Sequence, residues 1–251
     1  MSISFIDEAP QIIKDYLFYM QTVKGKSQKT VDEYYIDLRT FFRFIKLQRG
    51  LVPNDSEFEN ISISDVDLEL VKTVTLNDAY EFMNYIQRER KNQNVTRARK
   101  CSSLKGYFNY LATKKCVLDS NPVEQLEVPK KKKSLPKYLT LEQSLELLNA
   151  VDGDYKERDY CILTVFLNCG FSGAADIHQD NTMRVVGKGN KERIIYLNSA
   201  CVSAIENYMR VRPVDGVKDK YALFISRNHR RMSVKTIQAM VYKYLEKIGQ
   251  S

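Results

Sequence analysis

Val95-Thr-Arg-Ala-Arg-Lys-Cys-Ser-Ser-Leu-Lys-Gly-Tyr-Phe-Asn-Tyr-Leu-Ala-Thr113 decides how the first half of the chain is read. Cys101, Leu104, Tyr107, Phe108 and Leu111 recur at helical spacing and predict one buried face. Arg97, Arg99, Lys100 and Lys105 fall between them and are expected to point away from the core. One helix thus carries both a core stripe and a cluster of positive charge. Working outward, residues 88–115 hold nine basic residues and a single acid, Glu89, a net of +8 that equals the charge of the whole 251-residue chain. Extending the window to residue 137 adds Lys130, Lys131, Lys132, Lys133 and Lys137 and brings the local net charge to +10, so the remaining residues sum to −2. Charge concentrated in this way is the electrostatic footprint of a polyanionic partner, nucleic acid above all. A solvated helix face followed by a flexible tether gives the same count and is the plainer alternative.

Upstream of this helix the chain reads as helical. Ala9–Lys24 places Ile12, Ile13, Tyr16, Leu17, Tyr19 and Met20 on one side, and Gly25-Lys-Ser27 interrupts it. Ser27 or Thr30 is suited to cap a second helix, whose Val31, Tyr34, Tyr35, Leu38, Phe41, Phe42 and Ile45 form a wide apolar stripe. Residues 54–74 show no period and predict an irregular stretch. A third helix begins near Thr75 or Asn77 and runs to about Lys91, with Tyr80, Phe82, Met83, Tyr85 and Ile86 inward. The expectation is a four-helix domain over residues 1–118.

Residues 119–137 contain Pro122, Pro129 and Pro136 around four consecutive lysines. Proline cannot continue a helix and the lysines repel one another, which predicts an extended linker able to lie along a phosphate backbone. Residues 138–251 predict a second, mixed domain. Thr140 and Gln143 match a capping box opening a helix over 141–150. Asp154–Cys169 ends in an apolar run suited to a core, and Phe171–His178 is short and without period. Thr182–Val186 and Arg193–Leu197 are β-rich runs around Gly187-Lys-Gly-Asn-Lys191, the signal of a hairpin. A P-loop needs four residues between its first glycine and a Gly-Lys-Ser/Thr end followed by a helix, so this is not one. Ser199–Arg212 predicts a helix, and Tyr221–Ile225 a strand-like entry. Ser233–Ile248 predicts a final helix with Val234, Ile237, Met240, Val241, Tyr244 and Leu245 buried. The expected fold class is mainly α, a four-helix domain plus a mostly helical α/β domain with a small β-hairpin sheet.

Several function classes are set aside by composition. No apolar run approaches the roughly 20 residues needed to cross a bilayer, and the N-terminus lacks a basic and apolar leader, so neither a membrane nor a secreted protein is expected. Five cysteines without a C-x-x-C and two histidines, His178 and His229, argue against a disulfide framework or a zinc site. The expected setting is the reducing cytoplasm, with no metal, no cofactor and no small-molecule substrate.

Several segments together resemble the tyrosine recombinase (phage integrase, Xer-like) family. Ser27-Gln-Lys-Thr30 with Tyr34, Asp37-Leu38 and Phe41 is similar to the helix that opens its SAM-like core-binding domain. Thr96–Leu104 with Phe108 and Tyr110-Leu111 is similar to its DNA-contacting fourth helix. Asn121-Pro122 and Leu135–Thr140 resemble its interdomain linker, and Gly187–Arg193 its catalytic hairpin. The resemblance implies a clamp around duplex DNA, assembly as oligomers on it, and strand cleavage and rejoining through a 3′-phosphotyrosyl link. It assigns DNA contact to Ser27, Gln28, Lys29, Thr30, Arg97, Arg99, Lys100, Lys105 and Lys130, Lys131, Lys132 and Lys133. It makes Lys188 the catalytic lysine that protonates the leaving 5′ oxygen. The sequence also departs from the pattern. Where the family has its first catalytic arginine, the chain reads Gly170-Phe-Ser-Gly-Ala-Ala-Asp176, and no Arg or Lys occurs between Arg158 and Arg184. The resemblance places the family's His-x-x-Arg helix and nucleophilic tyrosine beyond Leu245–Ser251, neither His178 nor His229 matches a family position, and Tyr242 and Tyr244 are read as packing residues. Two expectations follow: a recombinase with a partial catalytic domain, or a catalytically inert DNA-binding relative that occupies or regulates a recombination site.

Overall fold

A computed structural model describes residues 8–127, 138–169, 175–177, 181–186 and 192–250. The chain divides into two compact units, Met1–Ser134 and Leu135–Ser251.

The first unit is helical. Helix α1 spans Gln11–Phe18 and widens into a π-helical turn over Tyr19–Val23. Gly25, at φ +58°, takes a left-handed conformation that L side chains avoid, and the chain reverses there. Helix α2, Gln28–Gln48, is capped by the Ser27 side chain, which accepts from the Thr30 amide. Helix α3 is Leu68–Lys72, α4 is Leu76–Arg88 with a Thr75/Asp78 capping box, and α5 is Asn94–Thr113. The core stripe read from the sequence is present: Cys101, Leu104, Tyr107, Phe108 and Leu111 are fully buried. They meet Val31, Tyr35, Leu38, Phe41, Phe42 and Ile45 of α2 and Phe82 of α4. Phe41 makes edge-to-face contacts with Phe42 at 5.3 Å and Phe82 at 5.2 Å, arrangements that add about 0.5–1.5 kcal/mol each beyond area burial.

Two expectations need correction here. Residues 54–74 are not wholly irregular, because they contain α3 and a 3₁₀ turn at Phe58–Asn60. Side chains of α2 hold this stretch in place. Arg43 donates to the Ile61 carbonyl at 2.8 Å and to Glu59 at 2.9 Å, and Lys46 donates to Asp65 at 2.7 Å. Tyr80 does not face inward. Ala79, Phe82, Met83 and Ile86 define the buried stripe of α4, and Tyr80 lies about 100° from its centre with close to half of its surface exposed.

Residues 119–127 are not a free tether either. Val123 and Leu126 are buried in the helical core. Lys105 donates to the Leu126 carbonyl at 3.1 Å, and Asn121 donates to the Lys105 carbonyl at 3.3 Å. The lysine run 130–133 lies outside the described residues.

The second unit packs helices against a small sheet. Helix α6 is Leu141–Asn149, opened by the Thr140/Gln143 capping box, and α7 is Lys156–Cys169. Strands β1 (Ala175–Ile177), β2 (Thr182–Val186) and β3 (Glu192–Tyr196) form an antiparallel sheet in the order β1-β2-β3. Thr182 pairs with Tyr196 and Val186 with Glu192, as a hairpin requires. The edge strand β1 was not foreseen, because three residues offer no alternation to detect. Helix α8 is Ser199–Val211, capped by Asn198, and α9 is Val234–Lys247, capped by Ser233.

One core cluster joins Cys161, Val165, Met183, Cys201 and Tyr208; another joins Leu147, Ile162, Met232, Met240 and Tyr244. Val234 and Tyr242, expected to pack, are exposed. Val234 opens α9 before the helix reaches the core, and Tyr242 lies two residues from both Met240 and Tyr244, on the opposite side. Tyr221–Ile225 forms no strand and makes only an isolated bridge, Ile225 to Arg231. Arg212 holds this loop by donating to the carbonyls of Leu223 at 3.2 Å and Ala222 at 2.8 Å. The mainly helical class with a small antiparallel sheet is the class expected from the sequence.

Candidate nucleic-acid interface

The predicted contact residues of the first unit lie in the first two turns of α2 and α5, except Lys105, which is midway along α5. Ser27, Gln28 and Lys29 are exposed and Thr30 is partly so. Ser27 and Thr30 are engaged in the cap, with their hydroxyls 3.0 Å apart. Gln28 is held between Gln21 and Asp32, at 2.9 and 2.7 Å. Lys29 projects from the first turn, where unpaired backbone amides and the helix dipole also favour an anion.

On α5, Arg97 is anchored sideways. It donates to Asn94 at 2.6 Å and also to Gln87 at the end of α4. Arg99 and Lys100 converge on Asp37 of α2. Arg99 Nη1 lies 2.5 Å from Asp37 Oδ2, and Lys100 Nζ 2.9 Å from Asp37 Oδ1. Asp37 is fully buried and Lys100 nearly so. The expectation that Lys100 points away from the core is therefore wrong. A buried carboxylate must be compensated, and the Lys100 ammonium compensates it inside the α2–α5 contact. Burial pushes the Asp37 carboxyl upward against the downward pull of Lys100 and Arg99, and the net direction is up. Lys105, likewise expected to point outward, is half-buried with its ammonium on the Leu126 carbonyl. Arg99 also pairs with Glu33 at 3.1 Å and keeps one third of its side chain exposed.

Two acids are thus central to this face, Asp37, which the sequence offered only as part of the resembling segment, and Glu33, which it did not single out. Asp37 carried a usable signal, since it interrupts an apolar stripe between Tyr34, Leu38 and Phe41. Glu33 carried none.

In the second unit, Lys188 lies outside the described residues, as does His178. His229 sits in a loop at φ +55°, its Nδ1 3.0 Å from the Asp215 carbonyl. Arg158 is the last basic residue before the missing arginine position, and its guanidinium is engaged by the protein. Its Nε and Nη2 meet Asp159 Oδ1 at 2.9 and 2.8 Å, Nη1 donates to the Ile225 carbonyl at 3.1 Å, and the guanidinium lies 4.3 Å from the Tyr155 ring centroid. Tyr244, as expected, packs. Its hydroxyl donates to Asp159 at 3.1 Å and lies 3.2 Å from the Asp152 carbonyl, and burial beside Asp159 pushes its pKa up to about 12. Among the described residues no group of His, Cys, Asp and Glu could hold a metal ion, and no helix is long and apolar enough to cross a membrane.

Comparison with known proteins places this arrangement. Residues 13–115 match the phage integrase N-terminal SAM-like domain, and residues 137–251 match the phage integrase family. The chain is 48% identical over 244 residues to tyrosine recombinase XerC of Caldanaerobacter subterraneus subsp. tengcongensis, covering 94% of this chain and 69% of that protein. It is 30% identical over 247 residues to tyrosine recombinase XerC of Natranaerobius thermophilus, covering 92% of this chain and 76% of that protein. Among solved structures it is similar in fold to a lambda integrase dimer bound to a COC′ core site. The TM-score is 0.63 at 16% identity, with 96% of this chain and 81% of that one covered. The fold is also similar to that of XerH recombinase bound to its difH substrate, with a TM-score of 0.62 at 14% identity, covering 96% and 79%. The chain belongs to the phage integrase family. Its curated relatives with the Xer name are tyrosine recombinases.

Proposed function

We propose that this chain grips duplex DNA at a site of recombination, with the exposed N-terminal ends of α2 and α5 against the duplex. The observation that carries the reading is the exposed Lys29 beside the Ser27 cap of α2 together with the partly exposed Arg97 and Arg99 of α5, on a unit that matches the family's N-terminal domain. Lys29 and Arg97 would contact phosphates, joined by Lys130, Lys131, Lys132 and Lys133, while side chains between α2 and α5 would face the bases. Lys100 would act indirectly, by holding the two helices together through Asp37. The test is the salt dependence of duplex binding. Loss of a phosphate contact flattens the slope of log K against log salt by roughly one unit. A wild-type chain that shows no salt-dependent duplex binding would refute the reading.

The family's chemistry is attack of a tyrosine hydroxyl on a phosphate, with cations stabilising charge on the nonbridging oxygens. In that reading Lys188 protonates the leaving 5′ oxygen and no cofactor takes part. One observation favours a chain that holds DNA without cutting it. No arginine occupies Gly170–Asp176, and Arg158 cannot substitute, because all three of its nitrogens and its face are engaged. The distinguishing experiment uses a suicide duplex nicked within a recombination site. A covalent protein–DNA adduct would establish cutting; tight binding without an adduct would establish the inert reading.

A further inference from the structure

The face between α2 and α5 is not uniformly basic. On α5, Val95 lies one turn before Arg99 and is 61% exposed, and the exposed Ser102 lies one turn after it. On α2, Lys29, Glu33 and Ile36 line the facing side at spacings of four and three residues. Phosphates would be met best by cations throughout. A carboxylate and two aliphatic side chains in the middle of the face would repel or ignore them. These groups have another natural counterpart, the edges of base pairs in the major groove. A carboxylate accepts from cytosine N4, aliphatic groups touch the thymine methyl, and a guanidinium fork takes guanine O6 and N7.

Arg99 is built as such a fork. Its Nη1 is held from one corner by Asp37 Oδ2 at 2.5 Å, the Glu33 carbonyl at 3.1 Å and Glu33 Oε2 at 3.1 Å. The opposite edge, Nε and Nη2, has no protein partner among the described residues, and the side chain is 33% exposed. A planar, always-charged group with one corner pinned and a two-donor edge open is pre-organised for a bidentate acceptor. Glu33, 41% exposed, puts a negative charge beside the same guanidinium, which repels a phosphate approaching the open edge but not a neutral guanine.

We infer that Arg99 and Glu33 form a base-reading pair, with Arg99 taking a guanine edge and Glu33 excluding phosphate from it. This rests on the proposal that the chain binds duplex DNA. The pair supplies sequence choice, whereas Lys29 and Arg97 supply grip.

The experiment selects bound duplexes from a pool of randomised sequence, using the wild-type chain and the Arg99→Lys and Glu33→Gln variants. Both substitutions are conservative, Arg99→Lys keeps a positive charge beside the buried Asp37, and circular dichroism checks that each variant folds. The wild-type chain is expected to enrich a guanine at one fixed position. Arg99→Lys keeps the charge but not the fork, so that preference should fall about tenfold while the salt slope stays unchanged. Glu33→Gln should bind random duplex more tightly, with a salt slope steeper by about one unit, because Arg99 is then open to phosphate. An Arg99→Lys chain that selects the same guanine as strongly as wild type, or a Glu33→Gln chain with unchanged slope and preference, would overturn the inference and leave DNA binding standing. A wild-type chain that retains no duplex would overturn the binding proposal itself.

Discussion

Asp37 on α2 and Lys100 on α5 are 63 residues apart in sequence and 2.9 Å apart in space, both inside the protein. Removing Asp37 leaves the Lys100 ammonium buried and uncompensated, whereas removing Lys100 leaves Asp37 with Arg99 as its remaining partner. Asp37→Ala should destabilise the first unit by about 3–5 kcal/mol, and Lys100→Ala by less. Urea unfolding of the full chain measures this. The double substitution Asp37→Leu with Lys100→Met should recover most of the loss, because no buried charge remains.

Tight packing sets a second expectation. A β-carbon on Gly106 would lie 2.7 Å from the hydroxyl of the buried Tyr16, closer than nonbonded atoms approach. Gly106→Ala should therefore cost about 1–3 kcal/mol, the usual range for overpacking. Tyr16→Phe in the same chain removes the clashing oxygen and should restore part of it, which a double-mutant cycle reads directly.

The two tyrosines of α9 should behave oppositely. Tyr244→Phe removes the donor to Asp159 and should lower stability by about 1–2 kcal/mol in thermal unfolding. Tyr242→Phe, on an exposed side chain, should change stability by less than about 0.5 kcal/mol.

Acid should weaken the first unit. The hydrogen bond from Arg90 holds Glu59 below the usual carboxylate range, and the hydrogen bond from Lys46 does the same for Asp65. An acid whose folded value is depressed binds fewer protons folded than unfolded, so its contribution is present above about pH 4 and is lost as pH falls through the folded value. Both carboxylates are largely exposed, so each should account for no more than about 1 kcal/mol. Urea midpoints between pH 7 and pH 3 should fall, and the fall should shrink in a Glu59→Gln/Asp65→Asn chain.

Thiol labelling should be selective. Cys116 is exposed, whereas Cys101, Cys161 and Cys201 are buried, and burial pushes the Cys161 and Cys201 thiols up to about 12. Mass spectrometry after brief treatment with a maleimide at neutral pH should find Cys116 modified first, with the buried thiols reacting only on unfolding.

The long helices were legible because their apolar residues repeat over several turns. Cys101, Leu104, Tyr107, Phe108 and Leu111 give the core face of α5 without ambiguity. The edges of each stripe were not legible. A helix period fixes the direction of burial to within about one residue, so Tyr80, at the margin of its stripe, was assigned to the wrong side. Short elements such as α3 and β1 hold too few residues to show any period. The candidate interface was located by charge, but charge counts do not say which cations are already occupied. Lys100 and Lys105 spend their charge within the protein, on Asp37 and on the Leu126 carbonyl, and only the fold reveals both.

The loop after α8 has a further consequence. Arg212 fastens it through backbone carbonyls, the one feature that every amino acid shares. Exposed side chains such as Val214 and Tyr221 can therefore change without loosening the loop, whereas Asp219, paired with Arg231, and the buried Ala222 are held by contacts of their own. Lysine at position 212 could not span the same set of acceptors with its single ammonium. A stretch whose exposed positions look unconstrained is thus moored through its backbone by residues outside itself.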